Sequence, residues 1–347
     1  MFRRQSVAAL LIVVLVAACG SPAASPSPTI PGSPTPSFQS PTPSATGPAP
    51  TVAPTPSPTP VPATPSPTVA PPSPPPTPAT MIVRAYFLLR DGSGGEVVNE
   101  PTLVPVLRTV PRSPATATAA MRALLAGPSA KERAAELPIK TLIPAGSKLL
   151  GIEISGGLAT VDLSAEFASF TSDDAWDLGA FSLHGRLAQV VYTVTQFTAV
   201  DRVNFKLEGK PVKVLFGMAD PESGSSEAIA LDKPVTRATY RDHYLPLIFV
   251  DRPAWGAALL NPGRVTGLAN VNEAQFRIAV LDRNDEILVD APVLASCGTG
   301  CWGRFDVTLK YDVSSAQWGT LRVWDISEYS GRPIAVREYP VYLRPAP

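Results

Sequence analysis

The distribution of prolines restricts the fold of this chain more than any other feature of its sequence. Of its 41 prolines, 23 lie between Ser21 and Thr80, and no charged residue occurs between Arg4 and Arg84. A segment of Pro, Ser, Thr and Ala buries little apolar surface and has few free backbone donors, so it stays extended, largely as polyproline II. Residues 20–80 are therefore predicted to be a disordered spacer, with a limiting reach on the order of 190 Å at ~3.1 Å per residue. Display of motifs to a proline-binding partner and O-glycosylation of the threonines are the alternatives.

The first 19 residues predict export and a lipid anchor. Two arginines precede an apolar run from Val7 to Ala18, which is typical of a secretory signal and shorter than the ~20 residues of a spanning helix. The run ends in Val16–Cys19, which resembles the lipobox of bacterial lipoproteins. That resemblance implies a signal peptide over residues 1–19, acylation of Cys19, and an extracytoplasmic chain lipid-anchored to the bacterial cell membrane. An ordinary signal peptide with an incidental cysteine is the alternative.

Two further cysteines, Cys297 and Cys301, remain for other chemistry. They flank a Gly-Thr-Gly segment, and a Gly-rich loop can bring two sulfurs together. Because export permits disulfides, a structural disulfide is predicted, and so short a ring contributes roughly 2 kcal/mol of loop entropy. A redox-active pair is the alternative. Zinc is disfavoured, since a zinc site takes about four ligands and neither histidine is near in sequence.

The segment from Arg186 to Gly217 gives the clearest globular signal. An apolar stripe at helical spacing predicts an amphipathic helix: Leu187, Val190, Val191 and Val194. Apolar residues then alternate with polar ones, as in a half-buried strand: Val203, Phe205 and Leu207. A turn at Glu208–Lys210 precedes a further strand. This helix, strand, turn and strand must pack on elements upstream.

Upstream, Gly156-Gly157 predicts a two-residue hairpin turn. The predicted register pairs Ile154 with Ala159, Ile152 with Val161, Glu153 with Thr160, and Leu150 with Leu163. Strands are predicted at Ile82–Arg90 and Leu103–Val110. A helix is predicted to be capped by Ser113, with Pro114 at its first position and with Ala117, Ala120, Met121, Leu124 and Leu125 on its buried face. A capping box at Ser129–Glu132 predicts a second, short helix.

These elements predict an α+β domain over residues 81–217, with a mixed sheet and two main helices. Four ordered segments resemble the GerMN domain of sporulation and spore-germination proteins: Arg122–Ser129, Ile143–Leu150, Gly157–Phe167 and Arg186–Gly217. The resemblance implies the GerMN fold and a possible link to sporulation or germination assemblies. It implies no reaction.

The rest of the chain predicts a polar connector over residues 218–244 and an all-β domain over residues 245–347. Seven short strands recur about every ten residues, which is typical of a β-sandwich: Leu247–Val250, Gly263–Ala269, Gln275–Leu281, Glu286–Ala291, Arg304–Tyr311, Thr320–Ile326 and Ala335–Leu343. Pro340 places the last strand at an edge. Val265–Val271 and Trp302–Leu309 resemble the immunoglobulin-like domain that often follows GerMN in spore-germination-type lipoproteins. The two cysteines depart from that pattern.

The residue types that often act in catalysis or binding form no recognisable catalytic motif in this sequence. With 29 basic and 29 acidic residues and no basic block, a nucleic-acid partner is not expected. His184 and His243 lie outside any nucleophile motif, and no metal or cofactor is predicted. Acidic residues that a glycosidase would require are more simply explained as helix-capping or solvated groups: Asp162, Glu166, Asp173, Asp174 and Asp177. Four tryptophans are expected in the core or turns of the sandwich, with any exposed subset available for glycan or protein: Trp255, Trp302, Trp318 and Trp324.

The sequence therefore predicts a lipid-anchored, non-catalytic binding or scaffolding module at the cell envelope. Its partners are predicted to be the membrane, through the lipid, and an envelope protein or wall polymer. A hydrolase acting on wall glycan or peptide through acidic residues is the main alternative. A solute-binding lipoprotein is a weaker one, because no two-lobed α/β pattern is present.

Overall fold

The computed structural model describes residues 79–89, 101–169, 180–219 and 226–347. Cys19, nearly all of the predicted spacer, and the acidic residues Asp173, Asp174 and Asp177 lie outside the described residues. All of the described residues belong to a unit that runs from Ser73 to Pro347. Among the helices in these ranges, none is long and apolar enough to cross a membrane.

The unit contains seventeen described strands and four described α-helices. The strands are β1 (Thr80–Leu89), β2 (Thr102–Pro111), β3 (Ile139–Lys140), β4 (Leu149–Ser155), β5 (Gly157–Leu163), β6 (Val200–Leu207), β7 (Lys210–Pro211), β8 (Val214–Ala219), β9 (Ser226–Ala230), β10 (Ile248–Arg252), β11 (Ala258–Leu259), β12 (Gly263–Ala269), β13 (Gln275–Leu281), β14 (Ile287–Leu294), β15 (Gly303–Leu309), β16 (Gln317–Ile326) and β17 (Pro333–Leu343). The helices are α1 (Thr116–Leu125), α2 (Ala130–Ala134), α3 (Ala180–Val194) and α4 (Arg237–Tyr244).

The first half of the unit is the predicted α+β domain. Its sheets run in the orders β2-β1-β3 and β4-β5-β6-β7, with β8 and β9 as a separate hairpin. Strands β5 and β6 are parallel, which makes the second sheet mixed. Strand β1 pairs with β2 along its whole length, but it pairs with β3 only at Leu88 and Leu89. The rest of that side of β1 therefore lacks a neighbouring strand.

The Gly156-Gly157 hairpin forms, with one correction to its register. Both glycines have positive φ, +53° and +83°, which costs glycine little. Ile154 pairs with Ala159, Ile152 with Val161, and Glu153 with Thr160, as predicted. Leu163, however, pairs with Leu149, because a bulge between Leu149 and Gly151 shifts the register by one residue. The apolar face is also less covered on β4, where Ile154 remains 44% exposed.

Helices α1 and α2, which precede this hairpin in the chain, differ in how well their caps were predicted. Helix α1 begins at Thr116 rather than after Ser113, and its N-cap is Ala115 without a side-chain bond. The Ser113 hydroxyl instead accepts from the Ala115 amide at 3.2 Å, which forms a local turn. The predicted buried face of α1 is confirmed, with Leu125 half-buried. The capping box between Ser129 and Glu132 is also confirmed.

Helix α3 is a central element rather than an amphipathic surface helix. The predicted stripe is fully buried, but so are polar residues on its other sides, Gln189 and Thr193. The helix packs against α1, β1 and β6 on some sides and against α4, β8 and β9 on others. An amphipathic helix usually keeps one side in water, but here later parts of the chain cover that side as well.

Residues 218–244, predicted as a connector, supply that cover. They complete the β8–β9 hairpin and form α4, whose Tyr240 and Tyr244 are buried. Val235 exchanges two backbone hydrogen bonds with Val203 of β6, at 2.8 and 2.9 Å. Because this segment is polar on average, its hydrophobicity did not indicate that two of its tyrosines are buried.

The second half is the predicted β-sandwich. One sheet has the order β10-β12-β15 and the other β11-β17-β16-β13-β14. All seven predicted strands are present, and the short β11 was missed. Strand β17 is covered on its outer side only near its end, where β11 runs parallel to Tyr342 and Leu343. Pro340 therefore lies close to the sheet edge, as its missing amide requires.

Candidate interdomain cleft

Side chains of α3 and of the turn after it complete the open edge of β1. The Thr193 hydroxyl accepts from the Tyr86 amide at 3.1 Å, and Gln189 Nε2 donates to the Tyr86 carbonyl at 3.1 Å. Gln196 bonds both backbone groups of Arg84, accepting at 3.0 Å and donating at 2.7 Å. Buried backbone groups must find partners. Three polar side chains thus do here what a neighbouring strand would do.

The completed strand presents two side chains to the second domain. Arg84 Nη1 donates to Asp251 Oδ2 at 2.7 Å, and the Tyr86 hydroxyl donates to Asp251 Oδ1 at 2.6 Å. Asp251 lies on β10, at the end of a buried apolar run. The side chains of Arg84 and Asp251 are 14% and 24% exposed, so the ion pair is only partly screened by water. One carboxylate therefore joins two side chains of the first domain to the second.

Arg237 of α4 reinforces this junction from the side. Its guanidinium carbon lies 4.7 Å from the Tyr192 ring centre and 5.4 Å from that of Tyr86. Its Nε donates to the Thr195 hydroxyl at 2.8 Å, and its Nη2 donates to the Tyr192 carbonyl at 3.1 Å. Stacking between tyrosine faces suits the weakly hydrated guanidinium. The segment between the domains thus contributes a cation to the same cluster.

The electrostatics of this cluster fix its protonation. Burial, partly opposed by the charge of Arg237 and reinforced by that of Asp251, raises the pKa of Tyr86 to about 12. Burial likewise raises the pKa of Tyr192. The Tyr86 hydroxyl therefore keeps its proton at physiological pH and acts as a donor to Asp251. The cluster is suited to holding two domains in one arrangement.

A cleft of about 700 Å³ opens beside the junction. The Arg84–Asp251 pair lies among its lining residues, with β1 and β2 on one side and β10, β12 and the residues between β10 and β12 on the other. Two apolar side chains from opposite sides, Ile82 and Leu260, are each 66% exposed. Arg252 is also exposed and forms no ion pair with any residue that the structure describes. The cleft therefore combines apolar surface with one uncompensated positive charge.

Further contacts join the sandwich to β2 and to α4. The Trp255 amide donates to the Pro105 carbonyl at 2.8 Å, which places the residues between β10 and β11 against β2. Trp302 Nε1 donates to Asp242 of α4 at 2.5 Å. Trp302 directly follows the disulfide between Cys297 and Cys301, whose sulfurs lie 2.12 Å apart. The disulfide thus stiffens the loop that presents Trp302 to α4.

Of the carboxylates considered for catalysis, the structure describes Asp162 and Glu166, which lie apart from the cleft and have structural partners. Asp162 Oδ1 accepts from the Gly209 amide at 3.0 Å, where it fastens the turn after β6. A hydrogen bond from Ser164 lowers the pKa of the exposed Glu166. A glycosidase acid requires the opposite shift, because it must stay protonated near neutral pH. Glu166 therefore lacks the raised pKa of such an acid, and Asp162 serves a structural bond.

The two histidines also lie outside the lining of the cleft. The His184 ring packs 6.1 Å from the ring of Tyr240, and His243 is exposed on α4. Within the described ranges, no three His, Cys, Asp or Glu side chains are grouped as metal ligands. The cleft residues were not predicted from the sequence. The signals that could have indicated them are charged residues at the ends of buried apolar runs, Arg84 and Asp251.

Two family models match the chain. Residues 84–213 match the family described as sporulation and spore germination. Residues 247–332 match the immunoglobulin-like domain of bacterial spore germination. Among curated proteins, no relative matches the chain.

Three solved structures are similar at low identity. The first GerMN domain of the sporulation protein GerM from Bacillus subtilis is 19% identical, with 46% of this chain and 98% of that chain covered and a TM-score of 0.30. A putative lipoprotein from Clostridium perfringens is 21% identical, with 46% and 89% covered and a TM-score of 0.28. The tandem GerMN domains of Bacillus subtilis GerM are 15% identical, with 77% and 62% covered and a TM-score of 0.32.

Proposed function

Because the chain belongs to the GerMN family through residues 84–213 and to the immunoglobulin-like domains of bacterial spore germination through residues 247–332, we propose that it is a non-catalytic binding module of the cell envelope. In this proposal Cys19 carries the lipid anchor, and the proline-rich spacer holds the two domains away from the membrane. The module serves assemblies of the sporulation or germination type. The description of neither family names a reaction.

The observation that carries the proposal is the junction built around Asp251. An ion pair, a tyrosine hydroxyl and a stacked arginine link the two domains, and together they fix the walls of the cleft. Fixed walls favour binding, because little conformational freedom is lost when a partner docks. A module made only to space two domains apart would not require such a junction.

The chemistry of the cleft indicates the kind of partner. Ile82 and Leu260 offer apolar contact from opposite sides, and Arg252 adds an exposed positive charge to the same lining. The complementary surface is a protein segment with apolar side chains flanking one carboxylate. We therefore assign the cleft to an envelope protein that presents an acidic, apolar segment.

Photo-crosslinking in intact cells tests this assignment. A crosslinking side chain at Leu260 should capture one protein in the wild-type background, and the additional change Arg252→Glu should reduce the yield at least fivefold. The matched control is a crosslinker at Tyr329, which is fully exposed on a loop outside the cleft. Equal capture from both positions, or no product from Leu260, would contradict the proposal.

The anchor is tested separately. Cys19→Ser should prevent acylation and leave the chain unprocessed or released from the membrane. Carbonate-washed membranes that retain the variant with normal processing would refute the lipid anchor. Incubation with purified wall polymer tests the hydrolase alternative: sugar or peptide release that is lost in Asp162→Asn or Glu166→Gln, at an unchanged melting temperature, would make the protein an enzyme.

A further inference from the structure

The outer face of the five-stranded sheet carries an exposed set of aromatic and paired charged side chains. Alternate residues of β16 point outward, since Gly319, Leu321, Val323 and Asp325 between them are buried. The strand register places outward residues of β17, β13 and β14 beside them. We call this set the aromatic face: Trp318, Thr320, Arg322, Trp324, Glu338, Pro340, Tyr342, Arg277 and Asp290.

Aromatic rings stand at both ends of this face. At one end Trp318 is 55% exposed and meets Tyr342 at 5.4 Å between ring centres, with an interplanar angle of 65°. Arg344 covers Tyr342 at 5.0 Å. At the other end the guanidinium of Arg277 lies 5.9 Å from the centre of the Trp324 ring. Trp318 is a large aromatic side chain with much of its surface in water, and it adjoins a second ring. Neighbouring exposed apolar side chains of this kind indicate a contact surface.

The distance between the two ends suits an extended partner. Trp318 and Trp324 are six residues apart on one strand, and six residues of β-strand span roughly 20 Å. Between them the register places Thr320 beside Pro340, which are short side chains. Along the strand, the face therefore has aromatic rings at both ends, with the short Thr320 and Pro340 and the longer, paired Arg322 and Glu338 between them.

The charges between the rings are paired. Arg322 Nε donates to Glu338 at 2.6 Å, and an Arg277 Nη lies 2.8 Å from Asp290. Each pair remains partly exposed to water. A protein covering the face would strip water from both ion pairs, and the desolvation of paired charges opposes binding. A hydrated polymer leaves them wet and can use their free N–H and oxygen positions as hydrogen-bond partners.

We propose that the aromatic face binds a polysaccharide strand of the cell wall. The apolar C–H faces of pyranose rings stack on Trp318 and Tyr342, and sugar hydroxyls bond to the two ion pairs. The nearly balanced charge of the face matches a neutral or weakly charged glycan. The proposal takes only the envelope location from the proposed function and does not involve the cleft.

Co-sedimentation tests this site with the full chain in detergent. The probes are chitin and peptidoglycan sacculi stripped of protein and of anionic polymers. The wild type should sediment with both, and an increase from 0.05 to 0.5 M NaCl should change its affinity less than twofold, because stacking is not screened by salt. Trp318→Ala should weaken binding at least tenfold and Tyr342→Ala severalfold. Trp318→Tyr should keep most of the affinity.

Tyr329→Ala is the matched control, since it removes a fully exposed ring outside the face. Its affinity should equal that of the wild type, and all variants should melt at the wild-type temperature. Absence of wild-type sedimentation, unchanged affinity in Trp318→Ala, or binding only to sacculi that retain protein would overturn the glycan assignment. Any of these results would leave the capture at Leu260 unaffected, so the two proposals fail independently.

Discussion

The two domains of this protein satisfy the backbone of their sheets in different ways. In the sandwich, β12 lies between β10 and β15 and pairs with both through its backbone groups. In the first domain, β1 has a strand on one side and side chains of α3 and the following turn on most of the other. Backbone pairing tolerates many side chains, whereas the α3 contacts require particular ones. The first domain is therefore more sensitive to single polar substitutions.

The largest expected effect comes from breaking that side-chain edge. Gln189→Leu leaves the buried Tyr86 carbonyl and the Leu142 amide without their present partner. At ~1–3 kcal/mol for each orphaned group, the free energy of unfolding should fall by about 4 kcal/mol. The control is Thr308→Val at an exposed position of β15, where the free energy of unfolding should change by no more than about 0.5 kcal/mol. Urea unfolding measures both, and equal losses would contradict the comparison.

The next effect tests the junction between the domains. Asp251→Ala removes the acceptor of Arg84 and Tyr86, and loss of charged hydrogen bonds should destabilise the protein by about 2 kcal/mol. Hydrogen exchange should accelerate in β1 and β10 together, with the distant β14 unchanged. Asp306→Ala is the control, because its bond to Arg264 joins two exposed side chains and exposed pairs contribute little. Faster exchange in β10 alone would show that the junction does not couple the domains.

A smaller effect should centre on the second domain and on α4, which that domain contacts. Cys297→Ser with Cys301→Ser opens the disulfide, which should lower the free energy of unfolding by about 2 kcal/mol or less, as expected for so short a loop. Exchange should quicken around Trp302 and in α4, which Trp302 contacts through Asp242. Alkylation of the denatured, unreduced wild type should find no free thiol at either position. Quantitative alkylation would refute the bond.

The smallest effect is a difference in sign on acidification between two carboxyls, Glu132 of the first domain and Asp325 of the sandwich. Burial alone would raise the pKa of Glu132, but bonds from Arg108 and the Ser129 amide hold it below its ordinary value of 4.5. Its stabilisation is therefore complete above that value and is lost as the pH falls through the folded pKa. In the sandwich, burial raises the pKa of Asp325 above its ordinary 3.8. The resulting penalty is present above the folded pKa and disappears as the pH falls.

Urea midpoints at pH 6 and pH 3.5 separate these contributions. Glu132→Gln should lose less stability on acidification than the wild type, because it lacks the contribution that acid removes. Asp325→Asn should lose more, because it lacks the relief that acid provides. Shifts of the same sign in both variants would show that the two carboxyls do not differ in this way.

The sequence predicted the sandwich more fully than the first domain. Alternation in stretches such as Gly263–Ala269 depends only on local pattern, and those strand bounds are confirmed. The burial of α3 on all sides was not predicted. Part of its cover comes from residues about 45 positions later, such as Tyr240, in a segment of polar composition. The one-residue shift at Leu149 arose from a bulge next to Gly151, and a glycine within a strand often marks a bulge, which the predicted register did not include.

The cleft was not predictable from sequence for a related reason. Its central contacts join Arg84 to Asp251 and Tyr86 to Arg237, residues that neither motif nor periodicity connects. The spacing of charges in the chain shows only that each lies at the end of an apolar run. Their partners are decided by how two domains dock.

The dependence of β1 on α3 has a consequence for the order in which the molecule forms. A chain leaves the ribosome with its N-terminus first, so β1 and β2 can pair early, yet the bonds from Thr193 and Gln196 must wait until about a hundred further residues have emerged. Contacts of such long sequence separation form slowly. During that interval the first strand carries an unprotected edge that another chain can occupy. A factor that shields this edge until α3 arrives would therefore raise the yield of native protein, and β1 is the place to look for its binding.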